Sequence, residues 1–97
     1  MFWIRVIKTP QALLVNVCDE ELLGKEFREG NIVLRVSPQF YGGEKVNTEQ
    51  VKQSLLEGDI MSLVGRKAIG VAVSLGMATW SAVKYVGGVP HLNIYKL

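Results

Sequence analysis

The sequence predicts one α+β domain spanning residues 1–97, a mainly antiparallel sheet with two helices packed on one face. Three observations predict it. Short runs of alternating apolar residues stand at both ends of the chain. A central stretch carries apolar residues at helical spacing behind a capping signal. Turn residues (Gly, Pro, Asn) separate these segments at short intervals.

The elements follow in order. Residues 2–8 read as a strand, Thr9-Pro10-Gln11 as a turn and residues 12–18 as a second strand, so the two predict a hairpin. Asp19-Glu20-Glu21-Leu22-Leu23-Gly24 reads as one helical turn, with Asp19 as its cap, acids at its positive end and a glycine stop. Residues 25–30 are a charged loop around Phe27, residues 31–37 a third strand, and Pro38 ends it. Asn47 predicts a helix start because Gln50 follows at capping-box spacing. Val51, Leu55 and Leu56 form the apolar stripe of that helix, and Gly58 stops it. Asp59 then caps a second helix through Leu75, with Ile60, Val64, Ala68, Val71 and Leu75 on one face. Ile69, Ala72 and Val73 widen the face, which places this helix centrally, and Gly65 or Gly70 marks a bend. Residues 79–82 are a short turn. Residues 83–86 and 89–96 are two strands about Gly87-Gly88, and Pro90 points to a late start or an edge position for the last.

Composition excludes several classes. The chain is 48% apolar, enough for one modest core, and its mean hydropathy of +0.21 is that of a folded protein. Cys18 is the only cysteine, so an internal disulfide and a Cys/His zinc site both lack partners; no metal or cofactor is expected. Closing an apolar run, Cys18 reads as a buried, inert thiol suited to a reducing cytoplasm. No signal peptide is apparent, and the most membrane-like window, residues 60–78, contains Arg66 and Lys67, so no membrane partner is expected. All nine acids lie between Asp19 and Asp59, whereas residues 60–97 carry only Arg66, Lys67, Lys84 and Lys96 as charges. If the two chain ends meet in the sheet, one side is basic and fits a polyanion or an acidic protein patch. Ordinary solvated surface is the plain alternative.

Strand alternation assigns Phe2, Ile4, Val6, Leu13, Val15, Val17, Ile32, Leu34, Val36, Leu92 and Ile94 to a core face. It assigns Trp3, Arg5, Asn16, Arg35, His91, Asn93 and Tyr95 to the opposite face. Such a mixture stacks bases and contacts phosphates, although it also describes the outer face of many small sheets. With the cations flanking the glycines, the nucleic-acid set becomes Trp3, Arg5, Arg35, Arg66, Lys67, Lys84, His91, Asn93 and Tyr95. Tyr41 is a further stacking candidate. Phe40, Tyr41, Gly42 and Gly43 form a turn whose aromatic pair anchors a partner or packs locally. That turn, or an exposed strand edge, supports the alternative of a protein-interaction module or homodimer. A third reading centres an enzyme on His91 with an acid such as Glu44. No nucleophile or metal set accompanies them, so no catalytic residue is assigned.

Several motifs fall in one order: Leu23-Gly24-Lys25-Glu26-Phe27-Arg28-Glu29-Gly30, Phe40-Tyr41-Gly42-Gly43, Val64-Gly65-Arg66 with Ala68 and Gly76, and Gly87-Gly88-Val89-Pro90-His91. Together they resemble a small archaeal family catalogued as domain of unknown function 424, over nearly the whole chain. Leu63 stands where the family has an Asn-like residue, and Leu92-Asn93-Ile94 where it has a small residue followed by Gln. The resemblance implies a cytoplasmic archaeal protein and supplies no activity. The company the family keeps with translation genes implies a non-enzymatic accessory protein that binds RNA or a ribosomal subunit.

Overall fold

The first hairpin forms where alternation places it. In the computed structural model, which describes residues 1–96, β1 (Phe2–Lys8) pairs with β2 (Leu13–Asp19) across the Pro10-Gln11 turn, and Thr9 N donates to the Ala12 carbonyl at 2.9 Å. A 3-10 turn (Glu20–Leu22) leads to β3 (Glu26–Glu29) and β4 (Ile32–Arg35), which form their own two-stranded sheet. Then come α1 (Pro38–Tyr41), β5 (Glu44–Val46), α2 (Thr48–Glu57), β6 (Ile60–Val64) and α3 (Arg66–Ser74). A second 3-10 turn (Trp80–Ala82), β7 (Lys84–Val86) and β8 (Val89–Tyr95) complete the described chain. The main sheet runs β5-β1-β2-β6-β8-β7, and every pairing in it is antiparallel except β2 with β6.

That parallel pair corrects the reading of residues 59–75 as one helix. Ile60–Val64 is a central strand, and only Arg66–Ser74 is helical. The strand is apolar at every position but Ser62, which hides its alternation, and so short a run also satisfies helical spacing. Gly65 makes the break, with φ 108°, and its N–H donates to the Pro90 carbonyl at 2.9 Å. Asp19 changes role for the same reason. It does not cap the 3-10 turn that follows it. Its carboxylate crosses to the next strand and accepts from Lys67 N at 3.1 Å and Ala68 N at 2.7 Å, at the start of α3. A Cβ on Gly65 would overlap that carboxyl. Burial pushes the Asp19 carboxyl above its ordinary range, against the pull of the two backbone donors.

Helices α2 and α3 pack on one face, as expected, over Phe2, Ile4, Val15, Val17, Met61, Leu63 and Leu92. The capping box forms as read: Asn47 accepts from Gln50 N, and Gln50 accepts from Asn47 N, each at 2.9 Å. Leu56 points out of the stripe and is exposed. The opposite face is half covered by residues 20–43, where Cys18, Val36, Tyr41 and Val64 form a second small core with Trp3, Leu22, Leu23, Phe27, Leu34 and Val89 around it. Ile32, Leu34 and Val36 therefore do not join the main core face. Residues 25–30 are not a loop but pair with β4, so β4 never enters the main sheet, and Ile32 is 61% exposed. The chain ends are not sheet partners either, since β2 and β6 separate β1 from β8. Nor is β8 an edge strand: Pro90 lies beyond the last β6 pair, Val64 with His91, where no ladder bond to β6 needs its missing N–H.

Two outcomes follow. Asp19→Ala should lower stability by about 1–3 kcal/mol in chemical denaturation, with faster amide exchange at Lys67 and Ala68. Cys18 is fully buried, and burial, with Asp19 and Glu21 adding to it, pushes its thiol up to about 12. It should resist a disulfide reagent at pH 8 in the native protein and react fully in denaturant; rapid native reaction would contradict this packing.

Candidate functional site

The cover formed by residues 20–43 decides which sequence-predicted side chains are free. Asn16 is buried, and its amide donates to the Phe40 carbonyl at 3.1 Å. Arg5 donates to the Gly42 carbonyl at 3.0 Å, so its guanidinium holds the cover down. Trp3 packs into the second core, with the Lys45 ammonium 5.3 Å from its ring centroid. Tyr41 is only 6% exposed, and burial pushes its phenol up to about 12, so it offers no ring for stacking. Phe40 meets it edge-on at 5.2 Å and remains exposed. Arg35 sits on the small hairpin and pairs with Glu26 at 2.6 Å, which holds the Glu26 carboxyl below its usual range.

The glycine pairs have structural duties. Gly87 and Gly88, with φ 57° and 81°, make the two-residue turn between β7 and β8. Gly87 N also donates to the Glu29 carboxylate at 3.0 Å, tying the turn to the small hairpin. Gly43 lets β5 lie against β1, since a Cβ there would run into the Ile4 carbonyl.

What the fold does place at one corner, split between the two faces of the sheet at its β7 edge, is a further group of aromatic and basic side chains. Gly65 reaches Pro90, so the start of α3 stands beside β8, and β7 sets Lys84 directly across from His91. The Arg66 guanidinium lies 6.0 Å from the centroid of the Trp80 ring, which is 38% exposed. Tyr85 is exposed on β7, on the face opposite Lys84 and His91, since successive strand residues alternate. Among the described residues neither Arg66 nor Lys84 has an ion-pair partner. Lys67 stays exposed, close enough to act on the charges of Asp19 and Glu20. Farther along β8, Ser62 donates to the Asn93 amide oxygen at 3.0 Å, and Tyr95 is 64% exposed.

The corner therefore contains Arg66, Lys84 and His91 from the sequence-predicted set. It adds Trp80 and Tyr85, which the sequence reading did not single out. Their only sequence signal was an aromatic residue in a turn and another in a short strand. A cavity of about 160 Å³ lined by Ala82, Lys84, His91, Leu92 and Asn93 adjoins it, without a carboxylate. Glu44 cannot serve His91, because β1, β2 and β6 stand between β5 and β8. Among the described residues no group of three His, Cys, Asp or Glu side chains is placed to hold a metal, and no helix is long and apolar enough to cross a membrane.

Comparison with known proteins gives two matches and one blank. The family described as "Protein of unknown function (DUF424)" matches residues 7–97. The fold superposes on the crystal structure of an uncharacterized conserved protein from Methanopyrus kandleri with a TM-score of 0.81 and 25% identity, covering 97% of this chain and 90% of that one. No curated protein matches.

Gly43→Ala tests whether the 40–43 turn is structural. It should lower stability by about 1–3 kcal/mol by lifting β5 from β1. An unchanged melting temperature would contradict that role.

Proposed function

For this chain, which belongs to the DUF424 family, we propose a non-enzymatic role as a cytoplasmic accessory protein of the translation machinery, binding single-stranded RNA in a ribonucleoprotein through the corner of Arg66, Trp80, Lys84, Tyr85 and His91. The observation that carries the reading is the Arg66 guanidinium held over the exposed Trp80 ring, with Lys84 four residues on in β7 and no acid pairing either cation among the described residues. A base stacked on an aromatic ring gains about 1–3 kcal/mol whatever its sequence, because every base has a π face. A guanidinium beside the ring meets the adjoining phosphate and is fixed there before binding. The translation setting rests on the family resemblance; the RNA chemistry rests on the corner.

The other sequence-predicted residues take lesser parts in this reading. Lys67, Asn93 and Tyr95 lie on either side of the corner and extend the surface. Trp3, Arg5 and Arg35 are engaged in packing, in carbonyl contacts and in an ion pair, and contribute none of the binding.

Fluorescence anisotropy of a labelled single-stranded oligonucleotide, titrated across salt concentrations, tests this. With two phosphate contacts, the logarithm of affinity should fall with the logarithm of salt at a slope of about −1.4. Lys84→Ala should reduce that slope by about 0.7, and Trp80→Ala should weaken binding by about tenfold or more with the slope unchanged. Binding that ignores salt, or that survives Arg66→Ala with Lys84→Ala, would overturn the proposal.

A further inference from the structure

The outer edge of β8 is paired over only part of its length. β6 runs beside β8 from Tyr95 to His91, but on the other side β7 accompanies it only from Val89 to His91. Strand alternation fixes which backbone groups are left open. Pro90 turns its carbonyl toward Gly65, and Lys96 N donates to the Asp59 carbonyl, so even-numbered residues face β6. His91 faces β7. Asn93 and Tyr95 therefore turn their N–H and C=O groups outward, where β7 no longer reaches. None of Leu92, Asn93, Ile94 and Tyr95 is charged, and no proline or bulge blunts this stretch, so it lacks the usual guards against strand addition.

The slot has a direction. A strand added antiparallel to β8 would run in line with β7 and the same way. Its C-terminal end would then meet the start of β7, where the chain arrives from the Trp80–Ala82 turn. The 160 Å³ cavity is at that blind end, lined by Ala82, Lys84, His91, Leu92 and Asn93. A chain passing through has no exit there, whereas a chain that ends there needs none. The lining offers a lysine ammonium and an imidazole and no acid, which complements a carboxylate.

We propose that this edge docks the C-terminal tail of a partner protein as an antiparallel strand, with its terminal carboxylate in the notch beside Lys84 and His91. Asn93 and Tyr95 each exchange a donor and an acceptor with the tail. The carboxylate takes charge-assisted hydrogen bonds from Lys84. Val83, extended into Lys84, already lies opposite Leu92, so the last tail residue falls opposite Asn93; the one opposite Tyr95, two places before the end, lies on the face where the exposed Tyr95 ring continues the row of Ile60, Leu14 and Ile7 and takes an apolar side chain. This goes beyond the RNA reading and needs neither Arg66 nor Trp80.

The test is an amide-resolved NMR titration of the ¹⁵N-labelled full chain with a library of acetylated tripeptides, apolar at the first position, carrying free C-terminal carboxylates. The same library with amidated C-termini is titrated in parallel. The amide signals of Asn93 and Tyr95 should move and exchange more slowly with the free-acid library. Amidation, or Lys84→Ala, should each weaken the effect by about tenfold or more. Asn93→Pro removes an outward N–H and no bond to β6, and should abolish binding; Tyr95→Glu, at an exposed position, gives a second readout if the proline variant does not fold. Three results would overturn the proposal: no movement at Asn93 and Tyr95 at millimolar peptide, equal binding of free and amidated libraries, or protection of these amides by raising protein concentration alone, which would make the occupant a second copy. Movement of the same amides with a short oligonucleotide and not with peptide would assign the slot to nucleic acid and overturn it too. Failure with peptide leaves the salt-dependent binding at Arg66 and Trp80 standing, so the two readings fail separately.

Discussion

The carboxylate of Asp19 joins the end of one central strand to the start of the helix that follows the next. β2 and β6 are the only parallel neighbours in the sheet, so their C-terminal ends lie side by side. α3 begins one residue after β6, and the first turn of a helix leaves backbone donors unpaired. Asp19 meets two of them from the adjacent strand, and its negative charge suits the positive end of the helix. The contact requires a left-handed backbone and no side chain at Gly65. Once it forms, the direction of α3 is set, and with it the position of Arg66 and the route of the chain to Trp80 and β7.

The two faces of the sheet are covered by different parts of the chain. On one side α2 and α3 complete a core around β1, β2, β6 and β8. On the other, residues 20–43 cover only the end of the sheet nearest Asp19, pinned by Arg5 and Asn16 to carbonyls of the cover. Trp3 and Tyr41 are absorbed there. Aromatic and basic groups left accessible stand at the β7 side, where the cover reaches only the Gly87 turn. The accessible aromatic and basic surface is thus set as much by what the cover removes as by what the sheet presents.

Much of the frame was legible in the sequence. The alternation of residues 2–8 and 12–18, the Asn47 and Gln50 capping box, and the Gly87-Gly88 turn are local signals, and each formed where local chemistry put it. The segment 59–75 was not legible because a strand with four apolar residues in five, Ser62 being the exception, looks the same as the first turns of a buried helix. Asp19 was misread for a related reason: a capping residue was assigned to the nearest helix in sequence, but its partner lies 48 residues on. Arg35 shows the limit of alternation, which says which way a side chain points relative to its own strand but not which sheet the strand joins. The corner depends on the β7–β8 register and on the return of Trp80 to α3, neither of which any window of sequence contains.

The most direct measurement of the central claim uses the two tryptophans. Trp3→Phe leaves Trp80 as the only indole, and Trp80→Phe leaves only Trp3. Titrating both with a short single-stranded RNA while following tryptophan fluorescence asks which ring meets a base. The expected result is saturable quenching of Trp80, reversed by salt, with Trp3 unaffected beneath its cover. An unchanged Trp80 signal at saturating RNA, or equal quenching of Trp3, would contradict the account.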